Sequence, residues 1–227
     1  MCPKITKNIG GEIMIIKKFL TAGGNSTALV YDFLDKEKKK ISRQLLKEVE
    51  QVGFVEEKKR FPCLEMMGNE LCINGTLAFA SNLNKKGKLL TSGVKEPVKY
   101  FNRNRKTSII LPLSYKKEGN IILLEGIGFI LLEKKQREEI SKKDIIDLAE
   151  KYNLPAFGLI IYEKNKIFPY IYVKSTDSFV NETACGSGSL ALSILTGYEE
   201  IIQPTNQTIN LKITKNKAVI TAVVKKL

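Results

Sequence analysis

The chain contains no histidine and no tryptophan. Without an imidazole it lacks the side chain that titrates nearest neutral pH, which excludes serine-hydrolase triads, HExxH sites and every His-containing zinc set. Arginine is scarce too: five of the 37 cationic residues are Arg (Arg43, Arg60, Arg103, Arg105 and Arg137) and the rest are Lys. Arginine is the residue favoured for bidentate phosphate and base-edge contacts. Against 24 acidic residues the formal charge is +13, but the lysines fall in mixed-sign runs such as 35–40 and 133–139. Runs of that kind make a solvated face, so no nucleic-acid partner is expected.

Long apolar runs are missing as well. The stretches 13–16 and 128–132 fall far short of the roughly 20 residues that cross a bilayer, so no membrane partner is expected. No apolar segment with a small-residue cleavage site follows Lys4 and Lys7, which points to the cytoplasm. Cysteines occur at 2, 63, 72 and 185 with no CxxC pair. In a reducing compartment that argues against a disulfide framework, and the spacing argues against a zinc cluster, so no metal is expected. What remains is an ordinary globular composition of 43% hydrophobic and 27% charged residues, long enough for one large domain or two small ones.

Residues 1–13 read as an extension, because a coherent apolar strand begins only at Met14. A Gly-rich turn around Asn25 leads into a second strand. A helix is expected next, capped by Ser42 and running through Ile41, Leu45, Leu46 and Val49 to about Gln51. Short strands follow at 52–55 and 61–67, then a helix from near Cys72, then strand material at 93–101 and 108–115. The second half repeats that order: strand at 121–132, a helix opened by Ser141 with Asp144 three residues on, strands at 159–162 and 168–173, and a helix from Cys185 to a terminal Gly197. A final hairpin spans 209–213 and 218–224. The duplicated order predicts two α+β domains, 14–106 and 107–227, facing each other across a cleft, with the last strand returning to the first domain.

Each half thus places a cysteine at the start of its second helix. At a helix N-terminus the unpaired N–H groups and the positive dipole end favour the thiolate, so a lowered pKa is expected at both. Gly186 and Gly188 let a ligand approach the backbone closely. For any single cysteine a small buried hydrophobe is the alternative. Two thiols facing one substrate carbon would make a two-base racemase, one thiolate removing the α-proton while the opposite thiol delivers one. Amides from both helix starts would bind the carboxylate and stabilise developing negative charge, so no pyridoxal phosphate or other cofactor is required.

The segments 67–76 (MGNELCINGT) and 181–191 (NETACGSGSLA) resemble the two active-site motifs of the diaminopimelate epimerase superfamily of cofactor-independent amino-acid racemases. The resemblance spans most of the chain, with AGGNSTALV and QVGFVE similar to further family segments. It is closer to the histidine racemases of opine-metallophore biosynthesis than to diaminopimelate epimerase itself. It implies two pseudo-symmetric domains, each a curved, mostly antiparallel sheet wrapped around a central helix. Cys72 and Cys185 are implied as the acid/base pair, with the amides of Ile73, Asn74, Gly186 and Ser187 around the substrate carboxylate. Asn25, Glu56 and Glu182 are implied near the amino group or side chain. Read as bare residues, Asn25 is equally a turn residue, Glu182 a helix-start carboxylate and Glu56 a solvated acid; Asn69 and Glu70 could shape the pocket.

Two departures stand out. Ile73 replaces a usual Gly, and STDSFVNE (175–182) carries no Arg, which disfavours meso-diaminopimelate as substrate. A small-molecule amino-acid substrate is the expected partner and a homodimer stays open. The alternatives are diaminopimelate epimerase, an isomerase of another carboxylate, and a basic binding module that keeps the fold without the reaction.

Overall fold

Parallel strands cannot be joined by a tight turn; they need a crossover, usually a helix. The computed structural model describes residues 5–9, 12–57, 60–136 and 140–227, with side chains from 14 onward. In it four helices make four such crossovers. Helix α1 (Lys38–Leu45) links the parallel pair Gly24–Tyr31 and Gln51–Glu56. Helix α2 (Ile73–Ser81) links Cys63–Met66 to Lys86–Thr91. In the second half α3 (Lys142–Lys151) links Ile127–Glu133 to Ala156–Glu163, and α4 (Gly186–Thr196) lies between Lys166–Val173 and Glu200–Ile202.

Sequence decides which helices go inside. Helices α2 (INGTLAFAS) and α4 (GSGSLALSILT) carry no charge, and eight consecutive residues of each are buried. A helix apolar all round has to be enclosed. Both lie within a mixed, barrel-like sheet, where Leu77, Phe79, Leu190 and Leu192 belong to one continuous core. Truncating Phe79 to Ala in such a core would cost about 3–5 kcal/mol. Helices α1 and α3 are amphipathic and pack outside, α1 through Ile41 and Leu45, α3 through Ile145 and Ala149. Ser141 and Asp144 close the start of α3 as a capping box.

All strands of the described residues join one sheet. The last strand, Lys217–Lys226, pairs antiparallel with Lys106–Pro112, and its end pairs Val224, Lys225 and Lys226 with Thr21, Leu20 and Phe19.

Several elements differ from the sequence reading, among them the single strand expected over 121–132, which is an antiparallel hairpin of Ile121–Leu124 and Ile127–Glu133. Ser42 lies inside α1 and does not cap it; a 3-10 turn at Asp35–Glu37 leads in, with Asp35 paired to Lys38 at 2.8 Å. The strand at Lys86–Thr91 occupies a stretch left unassigned, and Gly93 stands in a turn at φ +72° before Val98–Arg103 begins. Ile5–Ile9, placed in an extension, is a strand paired antiparallel with Glu12–Thr21. Cys2 lies outside the described residues.

Candidate active site

The two cysteines hold the same local geometry. Each is the N-cap of an inner helix in extended conformation, Cys72 at φ −118°, ψ 103° and Cys185 at φ −140°, ψ 106°. The Cys72 sulfur accepts the Gly75 amide at 3.1 Å, and the Cys185 sulfur accepts the Gly188 amide at 3.3 Å. One residue on, the Thr76 hydroxyl donates to the Cys72 carbonyl at 2.7 Å and the Ser189 hydroxyl to the Cys185 carbonyl at 2.6 Å. Cys63, Cys72 and Cys185 are thiols, not disulfides.

The two helix starts brace one another. Asn74 donates through Nδ2 to Ala184 O at 2.7 Å and accepts the Gly186 amide on Oδ1 at 3.0 Å. In return the Ser187 hydroxyl donates to Leu71 O at 3.1 Å and accepts the Ile73 amide at 3.2 Å. So the residue two places after each cysteine grips the peptides flanking the other. Ile73 fits the gap left by Gly186: a Cβ at position 186 would stand 2.5 Å from Ile73 Cγ2.

Three carboxylates gather where the thiols meet. Cys185 and Glu182 line the same cavity, and Cys72 donates to Gln51 Oε1 at 2.9 Å. Gln51 Nε2 in turn donates to Glu182 Oε1 at 2.5 Å, and Asn25 Nδ2 lies 3.4 Å from the same oxygen. Burial pushes the Glu182 carboxyl up to about 8, against the Cys185 and Gln51 hydrogen bonds that lower it. Burial also pushes Glu70 up to about 7. Glu50 bridges the halves, accepting the Thr183 hydroxyl at 2.6 Å and its amide at 3.2 Å.

The thiols are not activated as the helix starts alone predict. Burial first, and the Glu182 charge second, raises both well above the usual cysteine value; Glu70 adds to the effect at Cys72. The amide hydrogen bonds lower them by less. Desolvation in a water-poor site outweighs the helix-start field.

The cavity lined by both cysteines measures about 30 Å³, room for a water-sized group. Of the residues predicted from sequence, Cys72, Ile73, Asn74, Glu182, Cys185, Gly186 and Ser187 line it, and Asn25 sits behind Glu182. Glu56 does not join them. It ends the strand Gln51–Glu56, and at about 3.3 Å per residue the opposite end, with Gln51 and its neighbour Glu50, is the one that reaches the cavity. The Ile73 and Gly186 amides, expected around a carboxylate, are engaged by Ser187 and Asn74. Gln203, fully buried, also went unread: its Oε1 accepts the Cys185 amide at 2.8 Å and its Nε2 donates to Ser189 at 2.9 Å. No local pattern marks Gln203, whereas Gln51 heads a segment already singled out.

Comparison with known proteins places this arrangement. No protein-family model matches the chain. The histidine racemase of Fusobacterium nucleatum is 31% identical over 209 residues, covering 76% of this chain and 78% of that protein. A phenazine biosynthesis protein of the PhzF family from Bacillus anthracis has a similar fold, with TM-score 0.63, 13% identity and 93% and 97% of the two chains covered. A Pseudomonas aeruginosa protein described as a predicted epimerase matches with TM-score 0.60 and 8% identity over 93% and 96% of the two chains. The two solved structures share its fold, and the chain is an enzyme of the racemase or epimerase kind that belongs to the family of the histidine racemases.

Proposed function

We propose that the chain inverts the α-carbon of an amino acid by a two-base mechanism in which Cys72 and Cys185 exchange the roles of base and acid, with histidine the foremost substrate. The observation that carries this reading is the pair of thiols: each caps an inner helix, one from each half, and both line one cavity. Histidine comes first because the relative of 31% identity is a histidine racemase.

One thiolate takes the α-proton while the opposite thiol gives its own proton to the other face. The carbanionic charge spreads into the substrate carboxylate and is met at the helix starts, where substrate takes the Ile73 and Gly186 amides over from Ser187 and Asn74 as the walls part. The substrate ammonium binds among Glu182, Glu50 and Asn25. Its charge offsets the carboxylates that hold both thiols up, so thiolate forms when substrate is present. A cavity of about 30 Å³ is much smaller than the few hundred Å³ of a ligand site, so the two walls part to admit substrate and close around it. Water is then excluded and the electrostatic contacts strengthen.

The same reading treats 14–106 and 107–227 as two pseudo-symmetric domains, supported by the twice-used order of strand, outer crossover, strand pair and inner crossover. It places the enzyme in a reducing cytoplasm, where thiols persist, without a nucleic-acid or membrane partner.

The test is a substrate screen under reductant, read by chiral chromatography. L-Histidine and D-histidine should each be converted toward the racemate. If no amino acid is inverted but proton exchange occurs on another carboxylate, the alternative isomerase replaces this reading.

A further inference from the structure

The two thiols reach the site's acids by different routes. Cys185 is influenced by Glu182 itself, with which it lines one cavity, whereas Cys72 reaches the same carboxylate through one intervening side chain, Gln51. Gln51 is buried at 8% exposure and lines the cavity, and Thr27 steadies its Oε1 with a hydroxyl at 3.4 Å. The amide orientation follows from its neighbours: a thiol needs an acceptor and a carboxylate needs a donor, so oxygen faces Cys72 and nitrogen faces Glu182. Glu70, the other acid close to Cys72, is held by the Gly68 amide at 2.8 Å.

Resting on the two-thiol reading above, we infer that Gln51 is a positioning residue that couples Cys72 to Glu182, so that a single carboxylate sets the protonation of both thiols. The chain has no imidazole to give either cysteine a base of its own. The cycle begins from the form in which both thiols are protonated and Glu182 is ionised, a form that gains population as pH rises toward 8. Transfer of the Cys185 proton to Glu182 leaves the electron pair on the Cys185 sulfur and keeps the proton count unchanged. Cys72 is still a thiol, donating to Gln51 Oε1. After one inversion Cys185 holds the α-proton, Cys72 has delivered its own and is the thiolate, and Glu182 is still protonated. Cys72 now needs a donor and Glu182 an acceptor. A half-turn of the Gln51 carboxamide supplies both, nitrogen to sulfur and oxygen to the carboxylic acid. An ionised carboxylate at position 51 could not make that exchange, because it has no proton to donate.

The groups facing Cys72 are Gln51, Glu70 and Glu182, with Cys185 across the cavity. The experiment substitutes Gln51→Glu, which keeps the shape, and Gln51→Met, which keeps the bulk, with circular dichroism to verify folding. Alkylation by iodoacetamide is followed from pH 6 to pH 10 in the whole protein, with the Cys72 and Cys185 peptides quantified separately by mass spectrometry. The inference predicts that the rate of Cys72 alkylation at each pH falls in both variants, further in Gln51→Glu, and by a larger factor than the rate at Cys185 in each. Equal factors at the two cysteines, or no change, would overturn it. This readout needs no turnover, so it stands whether or not an amino acid is inverted. In the racemisation assay kcat should fall about 10–100-fold with KM little changed; a higher KM at unchanged kcat would make Gln51 a substrate-binding residue and overturn the inference while leaving the two-thiol mechanism standing.

Discussion

Asn74 accepts the Gly186 amide at 3.0 Å, from one inner helix start to the other. With the reciprocal bonds of Ser187, this makes the alignment of the two thiols a property of the seam between helices α2 and α4.

Removing that brace should loosen the seam. Asn74→Ala leaves the Ala184 carbonyl and the Gly186 amide without their partner in a buried site, at a cost of about 1–3 kcal/mol. In a chain of this length Tm should fall by roughly 2–4 °C per kcal/mol. Differential scanning calorimetry checks this; an unchanged Tm would mean that the contacts are not made in solution.

Ile73 and Gly186 should behave as a coupled pair. Gly186→Ala places a Cβ 2.5 Å from Ile73 Cγ2 and 2.9 Å from Asn74 Oδ1, an overpacking expected to cost about 1–3 kcal/mol. Ile73→Ala in the same chain should recover part of it. A double-mutant cycle by denaturant unfolding should give a coupling of about 0.5–3 kcal/mol, whereas strict additivity would contradict the packing described.

Stability should fall as pH rises. Glu182 titrates near 8 in the folded chain and Glu70 near 7, against 4.5 for the ordinary group. Folded protein therefore binds these protons more tightly than unfolded protein. Their contribution is complete below about pH 4.5 and is lost as pH climbs through 7 and 8. Urea unfolding at pH 5, 6.5 and 8 should show the decline, and Glu182→Gln should flatten it. A wild-type chain whose stability rises over that range would show that the two carboxyls are ionised in the fold.

The charge of +13 leaves a binding module as the competing account. That account requires strong, salt-dependent binding to duplex or single-stranded nucleic acid. At roughly 150 mM salt fluorescence anisotropy should detect none; tight binding with a steep salt slope would favour the module.

Local chemistry was readable from the sequence and long-range chemistry was not. Cys72, Cys185 and the Ser141–Asp144 box announce themselves because an N-cap is decided by a few adjacent residues. The resemblance points to Glu56 and the sequence alone does not single out Gln51, because the end of that strand reaching the cavity is set by its parallel register, Thr27 opposite Gln51, which no local pattern reveals. The thiol pKa direction was misread for a related reason. A helix start is visible in the chain, but burial and a carboxylate 131 positions from Gln51 are not.

The central claim is that two thiols work on opposite faces of one carbon. Its most direct measurement is α-deuterium incorporation from D₂O into L-histidine and D-histidine, by wild type, Cys72→Ala and Cys185→Ala, under reductant. The account predicts that wild type yields deuterated product of inverted configuration from either enantiomer. Each single variant should lose inversion by about 10²–10⁴-fold and lose exchange from the enantiomer whose proton its missing thiol removes. Full inversion in either single-cysteine variant would contradict it.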